Sequence, residues 1–177
     1  CWAKRFPLQF KGGNDMKMIV CAAENNAIGN NNGLLFSIPQ DMKFFRSETL
    51  GKVVVMGRST LDSFPGGKPL KNRVNIVLTR NKGFEREGAV VVHSYDEAMK
   101  KISEYSSDDV YIIGGSEIYA LFEKDCDEVL LTRVYEAPQA DKFFFDIDSS
   151  PAWIKTEESE IYTCENIKFS FNKYIKH

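Results

Sequence analysis

The sequence predicts an α/β domain: a mainly parallel central sheet of about eight strands, helices on both faces and an antiparallel C-terminal edge. Short apolar runs, such as residues 18–23 and 52–56, are typical of strands buried on both faces. Helix signals follow several of these runs, and regular strand–helix alternation favours a parallel sheet. The last third of the chain instead shows strand patterns with no helix between them, which predicts the antiparallel edge.

Length and composition narrow the class of protein. The 177 residues fit one domain, which we assign to residues 16–177, with residues 1–15 expected to be an upstream segment outside the fold. The 23 basic and 25 acidic residues are scattered and give a net charge of −2, so no nucleic-acid surface is expected. No apolar run approaches the roughly 20 residues of a membrane helix, and no signal peptide is evident.

Cysteine and histidine usage argues against a metal site. The four cysteines are far apart without a CxxC pair, and the two histidines, His93 and His177, do not complete a recognised zinc pattern. The same scarcity disfavours a Ser-His-Asp or Cys-His nucleophile. We expect no metal, a reducing cytoplasmic compartment and a monomer.

The first strand covers residues 18–23 and leads into a polar loop. The composition of Asn30-Asn31-Asn32-Gly33 is typical of a turn, so residues 29–36 are expected to form a mobile flap. A helix should follow, because Ser37 with Gln40 reads as a capping box and Pro39 presets φ in the first turn.

Asp41 lies on the apolar face of this predicted helix, whose other members are Ile38, Met42, Phe45 and Thr49. Burial there would raise the pKa of the carboxyl, which could hold the polar edge of a flat ligand stacked on Met42 and Phe45. The alternative is an ordinary first-turn acid favoured by the helix dipole.

The alternation continues along the chain. The strand at 52–56 ends at Gly57 and a helix starts near Arg58, while the strand at 73–78 ends in Thr79-Arg80. The strand at 90–92 precedes a capping box, Ser94 with Glu97, and a helix to about residue 105. Further elements are a strand at 110–113, the turn Gly114-Gly115-Ser116, a helix at 117–122, and strands at 128–135, 153–162 and 167–176.

Three of these strand ends combine features that suit phosphate groups. Carboxyl edges of parallel sheets expose backbone N–H groups, and Arg58, Thr79 and Arg80 add guanidinium and hydroxyl donors. A ligand with several phosphates would fit. Two alternatives remain open. Gly114-Gly115 could simply form a turn, and the arginines could be solvated charges on loops.

Taken together, these motifs resemble dihydrofolate reductase of the bacterial type. The resemblance runs from about Met18 to Tyr174. It is carried, in order, by Ala22-Ala23-Glu24-Asn25-Asn26-Ala27-Ile28-Gly29-Asn30, Pro39-x-Asp41-x-x-x-Phe45, Val55-Met56-Gly57-Arg58-x-Thr60, Leu78-Thr79-Arg80, Ile113-Gly114-Gly115-x-x-Ile118-Tyr119 and Leu131-Thr132. It implies the family's three-layer sandwich and NADPH-dependent reduction of dihydrofolate to tetrahydrofolate, the one-carbon carrier in thymidylate, purine and glycine synthesis. Antifolates would be inhibitors.

The resemblance also implies roles around the substrate. Asp41 would bind the pteridine 2-amino group and ring nitrogen and favour protonation of N5, with Thr132 assisting through water and Leu34 covering the nicotinamide. Arg73 would bind the α-carboxylate of the glutamate tail. The other implied substrate contacts are Ile19, Val20, Cys21, Met42, Phe45, Phe64, Leu70, Ile113 and Tyr119.

For the cofactor, the resemblance implies that Arg58, Thr79 and Arg80 grip the 2′-phosphate of NADPH, with Leu78 and His93 near the adenosine. For His93 a plain strand-end role is an equal alternative. Thr60 and the backbone near Cys21 and Ile113 would position the nicotinamide. The remaining implied contacts are Ile28, Gly57, Ser59, Gly114, Gly115, Ser116, Glu117 and Ile118.

One departure from the family pattern precedes the helix, where Leu34-Leu35-Phe36 replaces the usual Leu-Pro-Trp. The missing indole N–H removes a water-held link near the substrate, and the missing proline loosens the flap. We expect this departure to affect the turnover rate and inhibitor affinity more than the type of reaction.

Two other functions remain open. The related reductase of riboflavin biosynthesis shares the fold, the Gly-Arg-x-Thr turn, the Gly-Gly turn and NADPH, but it lacks the acid in the helix after the flap. A non-catalytic nucleotide-binding protein on the same scaffold would have no need of Asp41, Thr60 and Thr132 together. NADPH consumption with dihydrofolate separates all three.

Overall fold

The computed structural model describes residues 15–177, so the expectation that residues 1–15 precede the fold lies, apart from Asp15, outside the described residues. Within that range no helix has both the length and the apolar character needed to cross a membrane. The elements are β1 (Met16–Ala23), β2 (Ala27–Gly29), α1 (Pro39–Thr49), β3 (Val53–Gly57), α2 (Arg58–Ser63), β4 (Val74–Leu78), β5 (Ala89–Val92), α3 (Tyr95–Ile102), β6 (Val110–Gly114), α4 (Ser116–Phe122), β7 (Cys126–Val134), β8 (Lys142–Phe143), β9 (Trp153–Glu158), β10 (Tyr162–Cys164) and β11 (Ile167–Lys176).

The main sheet has nine strands in the order β10-β11-β7-β1-β6-β3-β4-β5, with β9 also paired to β11. All neighbours from β7 to β5 are parallel, whereas β11 runs antiparallel to β7, β9 and β10. The predicted parallel sheet with an antiparallel C-terminal edge is therefore confirmed.

Side chains of the central strands alternate between two apolar layers, as expected for a sheet covered on both faces. From β1, Met18 and Val20 enter the core under α3 and α4, while Ile19 enters the core under α1 and α2. Helices thus cover both faces, and the domain has three layers.

The start of α1 differs from the sequence prediction. The capping box predicted for Ser37 is wrong, because Pro39 is the first helical residue and Ile38 therefore occupies the N-cap without a side-chain bond. Ile38 is 2% exposed, so its burial anchors the helix start instead of a cap. The box predicted at Ser94 is found in altered form: Ser94 accepts from the N–H of Glu97, whose carboxylate accepts from the N–H of His93.

Two further differences concern short strands. The strand predicted at 153–162 is broken into β9 and β10, because Ser159 turns the chain by exchanging hydrogen bonds with the backbone of Phe171. Two strands not predicted from sequence, β2 and β8, pair as a separate two-stranded sheet beside the flap.

Arg133 ties β7 to the turn between β1 and β2. Its buried guanidinium donates to the carbonyl of Ala23 at 2.7 Å, to Asn26 Oδ1 at 2.9 Å and to Asp148 Oδ2 at 2.7 Å. We expect Arg133→Met to lower the free energy of unfolding by about 2 to 4 kcal/mol, because three acceptors lose a charged donor. Chemical denaturation measures this. Lys155→Met, which removes an exposed pair with Glu158, should cost less than about 1 kcal/mol, and equal losses would contradict the prediction.

Candidate active site

Asp41 is positioned by the first turn of α1 at the face of the sheet that α1 covers. Its Oδ1 accepts a hydrogen bond of 2.6 Å from the hydroxyl of Thr132, a buried residue of β7 that is 91 positions away in sequence. The side-chain distance shows that Thr132 contacts Asp41 directly. This contact holds the carboxylate in place against the sheet.

The pKa of Asp41 is raised above its usual value of 3.8, mainly because burial disfavours the charged form. Two hydrogen bonds act in the opposite direction, one from Thr132 and one from the thiol of Cys21. From sequence, only the backbone near Cys21 is expected at the site, because nothing in the local pattern marks its thiol. The result is a carboxyl whose proton is exchanged closer to neutral pH than that of a surface aspartate.

Apolar side chains form one wall next to Asp41. Ile19, Ile113, Phe45, Phe64 and Leu70 belong to the cluster between the sheet and the helices α1 and α2. Met42 and Leu34 are apolar and largely exposed, at 62% and 80%, so both are available to a ligand. A flat ring could therefore bury apolar surface here while its polar edge meets the carboxylate.

The structure buries the side chains of two residues, Val20 and Ile118, that are implied to contact ligands. Val20 faces the opposite core, under α3 and α4, because side chains alternate along β1. The Ile118 side chain is buried beneath Gly57, with its Cγ1 3.1 Å from the position a Cβ would take there. Only the backbone of Val20 and Ile118 remains available to a ligand.

Tyr119 is buried and contacts the backbone of the strands that form the site. Its hydroxyl donates to the carbonyl of Ile19 at 2.7 Å, and its ring fills the space where Gly114 would carry a Cβ, 3.1 Å away. Gly114 has a φ of 114°, so a side chain here would meet both strain and the ring. Tyr119 therefore fixes the backbone of β1 and β6 beside Asp41.

Arg73 lies at the start of β4, oriented by two internal hydrogen bonds. Its Nη1 donates to the hydroxyl of Thr49 at 3.0 Å and its Nε to the carbonyl of Lys71 at 3.0 Å. Burial and the nearby Arg46 lower the pKa of the guanidinium, which nevertheless stays charged at neutral pH. Arg73 is thus a preoriented cation that could bind a carboxylate.

The carboxyl ends of β6, β3 and β4 meet at one edge, because these strands are neighbours in the sheet. This edge carries the Gly114–Gly115 turn, whose peptide bond is cis, together with Gly57 and Thr60. A Cβ on Gly115 would lie 3.7 Å from the hydroxyl of Thr60. The glycines keep the edge open to close approach by a ligand, and Ser59, Ser116 and Glu117 border it from the helix starts.

The cations of this edge cluster at the ends of β3, β4 and β5. Arg58 stacks over Phe84 with its Cζ 4.4 Å from the ring centroid, and its Nε donates to Asp62 at 3.3 Å. Thr79 follows Leu78, and its carbonyl is 2.9 Å from His93 Nδ1. Arg80 is exposed beside them. The predicted set of Arg58, Leu78, Thr79, Arg80 and His93 is therefore brought together at adjacent strand ends.

The flap is held at its base by the small sheet of β2 and β8. Asn30 and Gly33 exchange backbone hydrogen bonds across a tight turn, and the N–H of Asn31 donates to Asp141 Oδ2 at 3.2 Å. Asp141 was not predicted from sequence, since nothing in its local pattern marks it. Ile28 in β2 is half-buried, and Phe36 packs on Ile38, Val134 and Phe169. The expected mobility of the flap stays a prediction.

Comparison with known families is decisive. The family described as dihydrofolate reductase matches residues 15–176. The chain belongs to the dihydrofolate reductase family.

Several dihydrofolate reductases are similar to this chain over nearly their whole length. The enzyme of Haemophilus influenzae is 33% identical over 153 residues, which cover 83% of this chain and 92% of that protein. Dihydrofolate reductase type 3 of Salmonella typhimurium is 34% identical over 162 residues, covering 88% and 97%. The structure of dihydrofolate reductase from Enterococcus faecalis, complexed with NADP(H) and RAB-propyl, superposes with a TM-score of 0.82 at 30% identity, covering 92% and 96%.

Proposed function

We propose that this chain catalyses the NADPH-dependent reduction of 7,8-dihydrofolate to 5,6,7,8-tetrahydrofolate. The observation that carries the proposal is Asp41, half-buried on α1, hydrogen-bonded to Thr132 and bordered by an apolar wall. Membership of the dihydrofolate reductase family and the bound NADP(H) of the Enterococcus faecalis structure support the choice of substrate and cofactor.

The cofactor site fits NADPH by its donor set. Gly57, Gly114 and Gly115 allow the backbone to approach a pyrophosphate, while Arg58, Thr79 and Arg80 suit a ribose phosphate. Thr60 lies beside Gly115, where it could position the nicotinamide. NADPH supplies the hydride that C6 of the substrate accepts.

The residues of this chain handle the substrate and the proton. Asp41 binds the 2-amino group and the ring nitrogen of the pteridine, and its negative charge favours protonation of N5. Thr132 keeps the carboxylate aimed at the ring. Leu34 and Met42 exclude water from the reacting atoms when the ligands are in place. The new bonds are C6–H, from the hydride, and N5–H, from a proton of solvent origin.

The proposal is tested by following NADPH absorbance with dihydrofolate as substrate. We expect turnover that depends on both compounds and that NADH supports less well. Tight NADPH binding without turnover of dihydrofolate would contradict the proposal. The pyrimidine substrate of riboflavin biosynthesis would then be the next compound to assay.

We further propose that the enzyme acts as a monomer in the cytoplasm. Cys21, Cys126 and Cys164 are free thiols, which fits a reducing compartment. Tetrahydrofolate made there would serve as one-carbon carrier for thymidylate, purine and glycine synthesis.

Arg73→Leu tests the contact with the glutamate tail. We expect the KM for dihydrofolate to rise roughly 30- to 150-fold, since a charged hydrogen-bonding pair contributes about 2 to 3 kcal/mol, while kcat changes little. Thr49 should remain satisfied, because its hydroxyl still donates to the Phe45 carbonyl at 2.8 Å. Steady-state kinetics measure the effect.

Lys71→Leu is the control for Arg73→Leu, because it removes an exposed positive charge two residues away and leaves the carbonyl that Arg73 uses. It should leave KM within about threefold. A dihydropterin without the glutamate tail should react equally well with native enzyme and with Arg73→Leu. A similar KM increase in both variants would contradict the assignment.

A further inference from the structure

Cys21 lies directly opposite Thr132 in the pairing of β1 with β7. Register partners on parallel strands direct their side chains to the same face, so both residues face α1 and Asp41. Thr132 donates to Asp41 Oδ1 at 2.6 Å. The Cys21 side chain lies beside Thr132 on the same face of the sheet, and its thiol lowers the pKa of the Asp41 carboxyl. Two adjacent strands therefore each place one side chain that can donate a hydrogen bond on the face of the acid.

We propose that Cys21 is a positioning residue of the active site, whose thiol donates a hydrogen bond to Asp41 and, together with Thr132, fixes the orientation and proton affinity of the carboxylate. The proposal rests on the proposed function, because it assigns Asp41 to the reaction. It gives the Cys21 side chain a role apart from the backbone contacts expected at this position.

The chemistry of the pair makes the thiol the donor. Burial, followed by the charge of Asp41, raises the pKa of Cys21 well above its usual value, so the sulfur keeps its proton throughout the range in which Asp41 titrates. A protonated thiol can donate to a carboxylate but is a poor nucleophile. Cys21 is therefore suited to hold the acid and unsuited to covalent catalysis.

The other groups around Asp41 do not replace this bond. From α4, the Tyr119 hydroxyl is already committed to the Ile19 carbonyl. From the segment before α1, Phe36 and Ile38 present apolar side chains, as does Val134 beyond Thr132 on β7. Burial and the bonds from Cys21 and Thr132 are the influences that set the pKa of Asp41. Loss of the thiol should therefore raise this pKa further, because burial would be opposed by Thr132 alone.

The kinetic test compares Cys21→Ala, which removes the donor, with Cys21→Ser, which keeps one. The reduction takes up a proton, so the rate falls as pH rises through the apparent pKa of Asp41 with its bound substrate. We expect the midpoint of this fall in kcat/KM to move up by about 0.5 to 1 pH unit in Cys21→Ala. In Cys21→Ser it should stay at or below the native midpoint, because a hydroxyl donates at least as well as a thiol.

Cys126→Ala is the matched control, since it removes a buried thiol in the core on the opposite face of the sheet. Its midpoint should equal that of the native enzyme. Equal midpoints in native enzyme and Cys21→Ala, or the same shift in Cys126→Ala, would overturn the proposal.

A spectroscopic measurement tests the hydrogen bond without turnover. The S–H stretching band assigned to Cys21 by difference against Cys21→Ser should move to higher frequency in Asp41→Asn, because the amide is a weaker acceptor than the carboxylate. An unmoved band would overturn the proposal. An enzyme inactive on dihydrofolate whose Cys21 band still responds to Asp41→Asn would refute the proposed function and leave the Cys21–Asp41 hydrogen bond established.

Discussion

Asp41→Asn should lower the rate of dihydrofolate reduction by about 10²- to 10⁴-fold at neutral pH, the range typical for loss of a positioned acid–base group. The amide can still accept the bond from Thr132, so the geometry of the site is kept. It carries no negative charge, however, and cannot favour the protonated form of N5. The deficit should shrink as pH falls, because solvent then protonates the substrate. Pre-steady-state rates of NADPH oxidation across pH measure the change.

The same substitution should not destabilise the fold. Asp41 has a higher pKa in the folded than in the unfolded chain. The free energy of unfolding therefore decreases as the pH rises from the unfolded pKa of 3.8 through the folded pKa, because the folded state disfavours the charged carboxylate. Removing the charge removes that cost. Thermal unfolding of Asp41→Asn at neutral pH should therefore match or exceed that of the native protein, which separates lost chemistry from lost structure.

Asp96→Asn provides the control for a plain helix-dipole role. Asp96 also lies in the first turn of a helix, α3, but on the exposed side. The variant should leave the rate within about twofold at every pH. A loss of less than tenfold in Asp41→Asn, or a loss that does not depend on pH, would assign Asp41 to the helix dipole.

The central sheet could be predicted from sequence because its signals are local. Runs such as those in β3 and β6 are apolar at every position, which indicates burial on both faces, and glycine turns mark where they end. β2 and β8 have three and two residues, too few for any periodicity to register. The start of α1 was misassigned because a polar residue at 37 matched a capping pattern, while the burial of Ile38 depends on residues such as Phe169, which are distant in sequence.

The residues of the site could be predicted from sequence motifs, but the contacts between their side chains could not. The resemblance located Asp41, Thr132 and Arg73, but the direct bond between Asp41 and Thr132 depends on the β1–β7 register and on the packing of α1. The proposed role of the Cys21 thiol has no sequence signature, since an isolated cysteine in an apolar strand is usually a core residue. Asp141 is recognisable only once β8 is seen beside the flap.

Replacement of both Arg58 and Arg80 by Leu should abolish the preference for NADPH over NADH. Each guanidinium can make a charged hydrogen bond to a 2′-phosphate, worth about 1.5 to 3 kcal/mol, so the KM for NADPH should rise at least 100-fold. NADH has no phosphate at this position, and its KM should change less than about threefold. Leu at position 58 still packs on Phe84, which limits damage to the edge of the sheet. Steady-state kinetics with both cofactors give the ratio.

The two single variants and a control at Lys168, a distant cation, show whether the effect is specific to Arg58 and Arg80. Arg58 is partly engaged by Asp62, at 3.3 Å, whereas Arg80 is exposed, so Arg80→Leu should have at least as large an effect as Arg58→Leu. Lys168→Leu removes an exposed positive charge from β11 at the opposite end of the sheet, and it should leave both KM values unchanged. If the double variant raised the KM for NADPH and NADH equally, the two arginines would be binding the pyrophosphate shared by both cofactors, and the 2′-phosphate contact would have to lie with Thr79 and His93 instead.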